Sequence, residues 1–213
     1  MKQPRMRRPS LPPVKRRTAA LLTLLALAAG SSQALPWTVQ VRNAAGQPLA
    51  EAVVAVELRG RPAKAAAGTR AEVAQRERQF QPAVLVVQTG TAVYFPNFDT
   101  VRHHVYSFSP IKPFDIKLYS GTPAEPVVFD KPGVAALGCN IHDQMSAYIV
   151  VVDTPLFART DAAGLARFDL PAGEHQIKAW HPSLTRPLLL MRPLSVSPAG
   201  GGSTAIELSN TSN

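Results

Sequence analysis

From Leu35 onward, short runs of alternating apolar and polar residues are interrupted by turn residues, and no apolar stripe of helical period is sustained. The stretch "WTVQVRNAAGQPLAEAVVAVEL" alternates on both sides of "NAAGQP" and predicts a hairpin. Residues 59–78 are Ala-rich and charged, interrupted by Gly60 and Gly68, and read as a linker running into an edge strand rather than as a short helix. "PAVLVVQTGTAVYFPNFD" holds two β-rich runs around "QTGT". "HHVYSFS", "KPFDIKLYSG" and "PVVFDKPG" each predict one more strand. In "TPLFARTDAAGLARFDLPAGEHQIKAWHP" the turn signals "DAAG" and "PAGE" separate further short strands, and "RPLSVSPAGGGSTAIELSN" closes the chain. The expected class is all-β.

The "RTDAAG" of this last part echoes the earlier "RNAAG". The echo predicts a small β-sandwich built from both ends, residues 35–72 and 153–213, with a second β-domain, residues 73–152, inserted between them or joined to them.

Residues 1–34 contain seven Lys or Arg and no Asp or Glu, then an apolar run, "AALLTLLALAAG", and the small residues "SSQA". That order is the pattern of a secretory signal peptide cleaved near Ala34, with an apolar core too short to span a bilayer. It predicts a periplasmic protein with no membrane span after cleavage. Without this segment, 16 basic residues face 14 acidic ones, a net charge of +2. The high overall charge belongs mostly to the leader and is no sign of nucleic-acid binding.

An exported chain with one cysteine cannot make an internal disulfide. Cys139 is therefore a dimerising thiol, an inert buried one, or a ligand. It stands in "GCNIHDQMSAYIVVV", where His142 follows at the third position and Met145 at the sixth. Cu(I) favours thiolate and thioether, Cu(II) is served by imidazole, and two His, one Cys and a weak axial Met satisfy both states with little rearrangement. Only a tight loop turns all three side chains inward, because a strand would alternate them across two faces. The remaining ligand falls to His103 or His104 in "NFDTVRHHVYSFS". Neighbours on a strand face opposite sides, so one of the two points inward and the other outward.

"GTAVYFPNFDTVRHHV" and "GCNIHDQMSAYIVVV" together resemble the two halves of a cupredoxin, or blue copper, site. In the plastocyanin-like members an Asn stands six residues before the first His ligand, as Asn97 stands before His103. The resemblance therefore assigns the ligand role to His103 and puts His104 at a position usually held by Asn. The spacing Cys-x2-His-x2-Met is similar to that of amicyanin, an electron acceptor in bacterial methylamine oxidation. The resemblance implies a Greek-key sandwich over about residues 73–152 and one mononuclear type 1 copper per chain, held by His103, Cys139, His142 and Met145. It further implies one-electron shuttling through His142 to a redox protein such as a dehydrogenase or c-type cytochrome. The flanking segments resemble the small regulatory-type sandwich attached to some carboxypeptidases, which implies no activity. Asp143 and Gln144 replace the Pro and apolar residue found in amicyanin-like loops. An adjacent carboxylate favours the more positive, oxidised metal, and both residues make the surface around His142 more polar.

An enzyme is not expected. A thiol hydrolase would pair Cys139 with His142 as base, but two residues three apart on one short loop fit that geometry poorly, and Met145 would have no role. A copper oxidase or nitrite reductase would need a second metal from His104, His175 and His181, and the latter two read as surface or structural residues. Zinc is a poor match for a thioether and a single thiolate. The main rival is a copper storage, delivery or sensing protein with the same ligands. A metal-free interaction module is the third possibility.

Overall fold

The computed structural model describes residues 33–59, 61–142, 144–186 and 189–210. Nearly all of the expected leader, and Asp143, lie outside the described residues. No described helix is long and apolar enough to cross a membrane.

The described residues form seventeen strands. The first two are β1 (Ala34–Asn43) and β2 (Val53–Leu58). The middle of the chain carries β3 (Arg70–Glu72), β4 (Ala74–Arg76), β5 (Gln79–Gln81), β6 (Val84–Gln88) and β7 (Thr91–Tyr94), then β8 (His103–Ser107) and β9 (Phe114–Tyr119). It ends with β10 (Val127–Phe129), β11 (Gly133–Gly138) and β12 (Ser146–Val152). The last are β13 (Phe157–Arg159), β14 (Leu165–Pro171), β15 (Gly173–Trp180), β16 (Leu190–Val196) and β17 (Gly202–Leu208).

Strands from both ends of the chain share two sheets, in the orders β14-β1-β17 and β13-β2-β15-β16. The middle strands form sheets β6-β12-β11-β8-β9 and β10-β7-β3, with β4 and β5 as a separate hairpin. Residues 61–66 run without regular structure into β3, which is an edge strand paired with β7. This agrees with the linker expected there, and β3 is already part of the middle sandwich.

The expected hairpin of β1 and β2 does not form: β1 pairs with β14 and β17, whereas β2 pairs with β13 and β15. The reason is burial on both faces of β2. Val54 and Val56 enter the core between the two end-built sheets, with Val39, Val41, Leu170 and Ile177. Val53 and Ala55 enter a different cluster on the opposite face, with Val134, Val150, Val152 and Trp180. A strand buried on both sides reads as a continuous apolar run, which is what the first four residues of β2, "VVAV", are. The chain needs β2 in the second sheet, and the turn after β1 carries it across.

That turn and its echo have the same construction. Asn43 Oδ1 accepts the amides of Ala45 and Gln47, and Asp161 Oδ1 accepts those of Ala163 and Leu165. Gly46 and Gly164 both close the turn at positive φ, 75° and 72°. A side-chain oxygen that caps its own turn is the recurring role of Asn and Asp.

β12 also has two buried faces. Ile149 and Val151 join the core of the middle sandwich, with Val93, Phe95, Val105, Phe129 and Leu137. Val150 and Val152 join the cluster that meets β2 and β15. One apolar seam thus joins the two sandwiches, and Trp180, fully buried, sits in it with its ring 4.8 Å from that of Tyr148 and tilted against it.

Candidate metal centre

The ladder between β11 and β12 closes at the pair Gly138 and Ser146, which leaves residues 139–145 as the connecting loop. Within it the Met145 amide donates to the His142 carbonyl at 2.9 Å, a turn that folds the loop back on itself. Cys139 and Met145, at the two ends, are both buried in the core of the middle sandwich. His142 is half-buried, at the protein surface.

His103, on β8, is fully buried, and its Nδ1 lies 3.9 Å from Cys139 Sγ. Ligand atoms of His103, Cys139 and His142 lie within 4.8 Å of one another, and no other such His, Cys or carboxylate cluster is found among the described residues. The His103 and His142 rings are 5.1 Å apart. His142 Nδ1 is buried without a hydrogen-bond partner. A buried imidazole nitrogen left unpaired is costly unless something else satisfies it. A metal would, and the donor set of two imidazoles, one thiolate and one thioether fits a single type 1 copper.

A network of buried polar groups holds His103. Asn97, 5% exposed, donates from Nδ2 to the carbonyls of Val101 and Tyr119 at 2.9 and 3.0 Å, and its Oδ1 accepts the Asp99 amide at 2.9 Å. The Asn97 that the sequence pattern singled out is thus a brace for the turn leading into β8. Asp99, the acid of the N-x-D-x3-H pattern that ends at His103, has the larger role. Its Oδ2 lies 2.7 Å from His103 Nε2, which fixes the ring with Nδ1 turned toward the thiol. The same carboxylate accepts the Glu77 and Arg78 amides at 2.7 and 3.0 Å. Partial burial works against its charge, but the hydrogen bonds from Arg78, His103 and Glu77 outweigh it and hold Asp99 below the usual carboxylate range. Its spacing, four residues before His103, is visible in the sequence, but its partners lie over twenty residues away.

Behind this layer, Gln75 donates to the Phe95 carbonyl and pairs closely with Tyr119, whose hydroxyl also donates to that carbonyl at 2.6 Å. Burial pushes the Tyr119 phenol up to about 12.

His104 stays outside the cluster, on the opposite face of β8. It is not solvent-facing as strand alternation alone suggests: it is 7% exposed, because Asp115 on β9 takes its Nε2 and Tyr106 covers the ring. Its partner is therefore the neighbouring strand. His175 pairs with the Pro171 carbonyl, and His181 accepts the Ser183 amide. Neither joins His104 in a second centre.

The two sheets of the middle segment, and the meeting of His103 on β8 with Cys139 and His142 on the loop that ends at Met145, agree with the resemblance read from the sequence. No family model and no curated protein matches the chain. Among solved structures, it is similar to a copper-containing nitrite reductase from Thermus scotoductus SA-01, at 27% identity and a TM-score of 0.39, over 43% of this chain and 24% of that one. It thus spans only about a quarter of that protein's length. It is also similar to a purple cupredoxin from Nitrosopumilus maritimus, at 20% identity and a TM-score of 0.34, over 39% of this chain and 98% of that one. A mutant amicyanin in its reduced Cu(I) form matches at 17% identity and a TM-score of 0.35, over 46% of this chain and 97% of that one.

Proposed function

We propose that this is an exported, periplasmic electron carrier, with no enzymatic activity of its own, that holds one type 1 copper. When bound, such a copper takes up and releases single electrons as it alternates between Cu(II) and Cu(I). His103, Cys139 and His142 would hold it, with Met145 as the weak fourth ligand. Cys139 couples the metal electronically to the protein, and the half-buried His142 is the exit to the surface. The partner on this reading is another redox protein, a dehydrogenase or c-type cytochrome. A dehydrogenase of methylamine oxidation is the class that the loop spacing suggests. The companion sandwich, similar in strand texture to regulatory modules of some carboxypeptidases, serves as a structural support.

The observation that carries this reading is His103, clamped through Nε2 by Asp99 while its Nδ1 faces Cys139 Sγ at 3.9 Å. A ligand fixed before the metal arrives suits a carrier that keeps one geometry in both redox states, whereas a storage or delivery protein must open. The test is a Cu(II) titration of the leaderless protein followed by visible absorption, beside Cys139→Ala. An intense blue charge-transfer band that saturates at about one copper per chain and vanishes in the variant is expected. A colourless complex, or a spectrum indifferent to Cys139, would overturn the carrier.

A further inference from the structure

The β4–β5 hairpin is an unusual object to find beside a metal site. Arg76 pairs with Gln79, so Glu77 and Arg78 make a two-residue turn, and both have positive φ, 53° and 58°. Turns of this kind favour Asn and Gly, which tolerate that backbone at least cost. Here two long charged side chains occupy it, and the Asp99 carboxylate takes both of their amides. Because the same carboxylate holds His103, the hairpin tip is tied to a metal ligand through one side chain.

The tip also faces the exit. Glu77, Arg78 and Gln79 line a cavity of about 520 Å³ together with His142, Gln144 and Met145. Beside it, the Arg76 guanidinium lies 3.7 Å over the ring of Phe98, which is 54% exposed. Arg76, Arg78 and Arg102 are exposed, and none has an ion pair among the described residues. Glu77 is the one carboxylate on the tip, and Asp99 is committed to the two amides and His103. Asp143, next to His142 in sequence, is the further acid of the ligand loop and lies outside the described residues.

Resting on the carrier reading above, we propose that the 76–79 tip is the docking element for the redox partner, and that the partner is a protein with an acidic face. A partner carboxylate enters the cavity and pairs with Arg78 beside His142, while the Arg76–Phe98 stack packs against the edge of the contact. Unpaired arginines on a rigid support suit this task, since guanidinium meets carboxylate in a two-point fork and sheds water readily. A mobile tip would lose that advantage by having to be ordered at each encounter.

The test uses hexacyanochromate(III), a redox-inert paramagnetic trianion, as a stand-in for the acidic face. Added to the isotope-labelled, metal-free protein at low salt, it should broaden the amide signals of residues 76–79 and 98 before others. The cation hexaamminechromium(III) should not. The double variant Arg76→Glu/Arg78→Glu should abolish the broadening, while Arg192→Glu, on the companion sandwich, should leave it intact. With copper bound, oxidation of the reduced protein by ferricyanide should slow about tenfold in the double variant, and the difference should shrink as salt screens it. Broadening elsewhere, or broadening and rates indifferent to the two arginines, overturns the docking proposal even if the blue band is present. Broadening at the tip in a protein that never turns blue overturns the carrier reading, and the redox docking with it.

Discussion

The two sandwiches are built from similar strands but bury different chemistry. Between its two end-built sheets the companion sandwich has an apolar core, with Val39, Val41, Val54, Val56, Leu170 and Ile177 at its centre. The middle sandwich holds eight of the eleven buried polar side chains among the described residues, Gln75, Thr89, Thr91, Asn97, His103, His104, Ser107 and Ser109. Polar groups are costly to bury and need partners, so a fold collects them where stability alone would not. Gln75 and Asn97 among them brace the turn that presents His103, whereas Thr89, Thr91 and Ser109 bond elsewhere in the same sandwich. The contrast separates a sandwich that stabilises from one that positions.

The largest effect should come from the seam between them. Trp180→Ala should cost about 3–5 kcal/mol, and calorimetry should then resolve two unfolding transitions in place of one. A single transition at an unchanged midpoint would mean that Trp180 does not hold the seam. Leu170→Ala, inside the companion core, should cost about 2–5 kcal/mol in urea unfolding, yet leave the position of the copper band untouched. Asn97→Ala should show the reverse balance. It strands the Val101 and Tyr119 carbonyls at a cost of about 1–3 kcal/mol, and it should shift the band by loosening the turn before His103. If both variants moved the band equally, the division of labour would fail.

Titration sharpens the contrast further. Burial raises Tyr119 from 10.0 to about 12, opposed in part by the Gln75 hydrogen bond and reinforced slightly by the nearby Cys139. The folded protein thus keeps a proton that the unfolded chain releases, so this contribution is full below pH 10 and is lost as pH rises toward 12. Tyr119→Phe should remove that alkaline loss, followed by stability measurements across the same window. The companion sandwich should show the smallest effect. Arg167 and the Leu165 and Ala163 amides lower the pKa of the exposed Asp161. Its stabilisation is present above 3.8 and fades as pH falls through the lowered value. Asp161→Asn should keep the turn, as Asn43 does in the matching one, and abolish that acid sensitivity. Loss of the turn in the variant would show that the charge, and not the cap, holds it.

Most strands were legible because β-branched runs and turn residues mark them locally. Cys139, His142 and Met145 were legible because all three sit on one seven-residue loop. The choice of His103 over His104 followed from alternation and the position of Asn97. The failures share one cause, partners distant in sequence. Whether β2 folds back on β1 depends on β13 and β15, about a hundred residues away, and on the seam that buries its second face. The same run of valines could serve a hairpin, and only the unbroken apolar "VVAV" of residues 53–56 hints otherwise. The reach of Asp99 to the Glu77–Arg78 turn, and the cover that Asp115 places over His104, are likewise set by topology.

The seam has a consequence for how this metal site can be inherited or borrowed. β12 begins directly after Met145 and ends with Val150 and Val152 pressed against the companion sandwich. Cut free as residues 73–152, the copper-binding half would show water the valines of its own closing strand, together with Val134. Such a fragment should clump before it could be loaded with metal. Anyone transplanting the site must also recolour that face with polar residues, and any lineage that discarded the companion sandwich would have had to do the same.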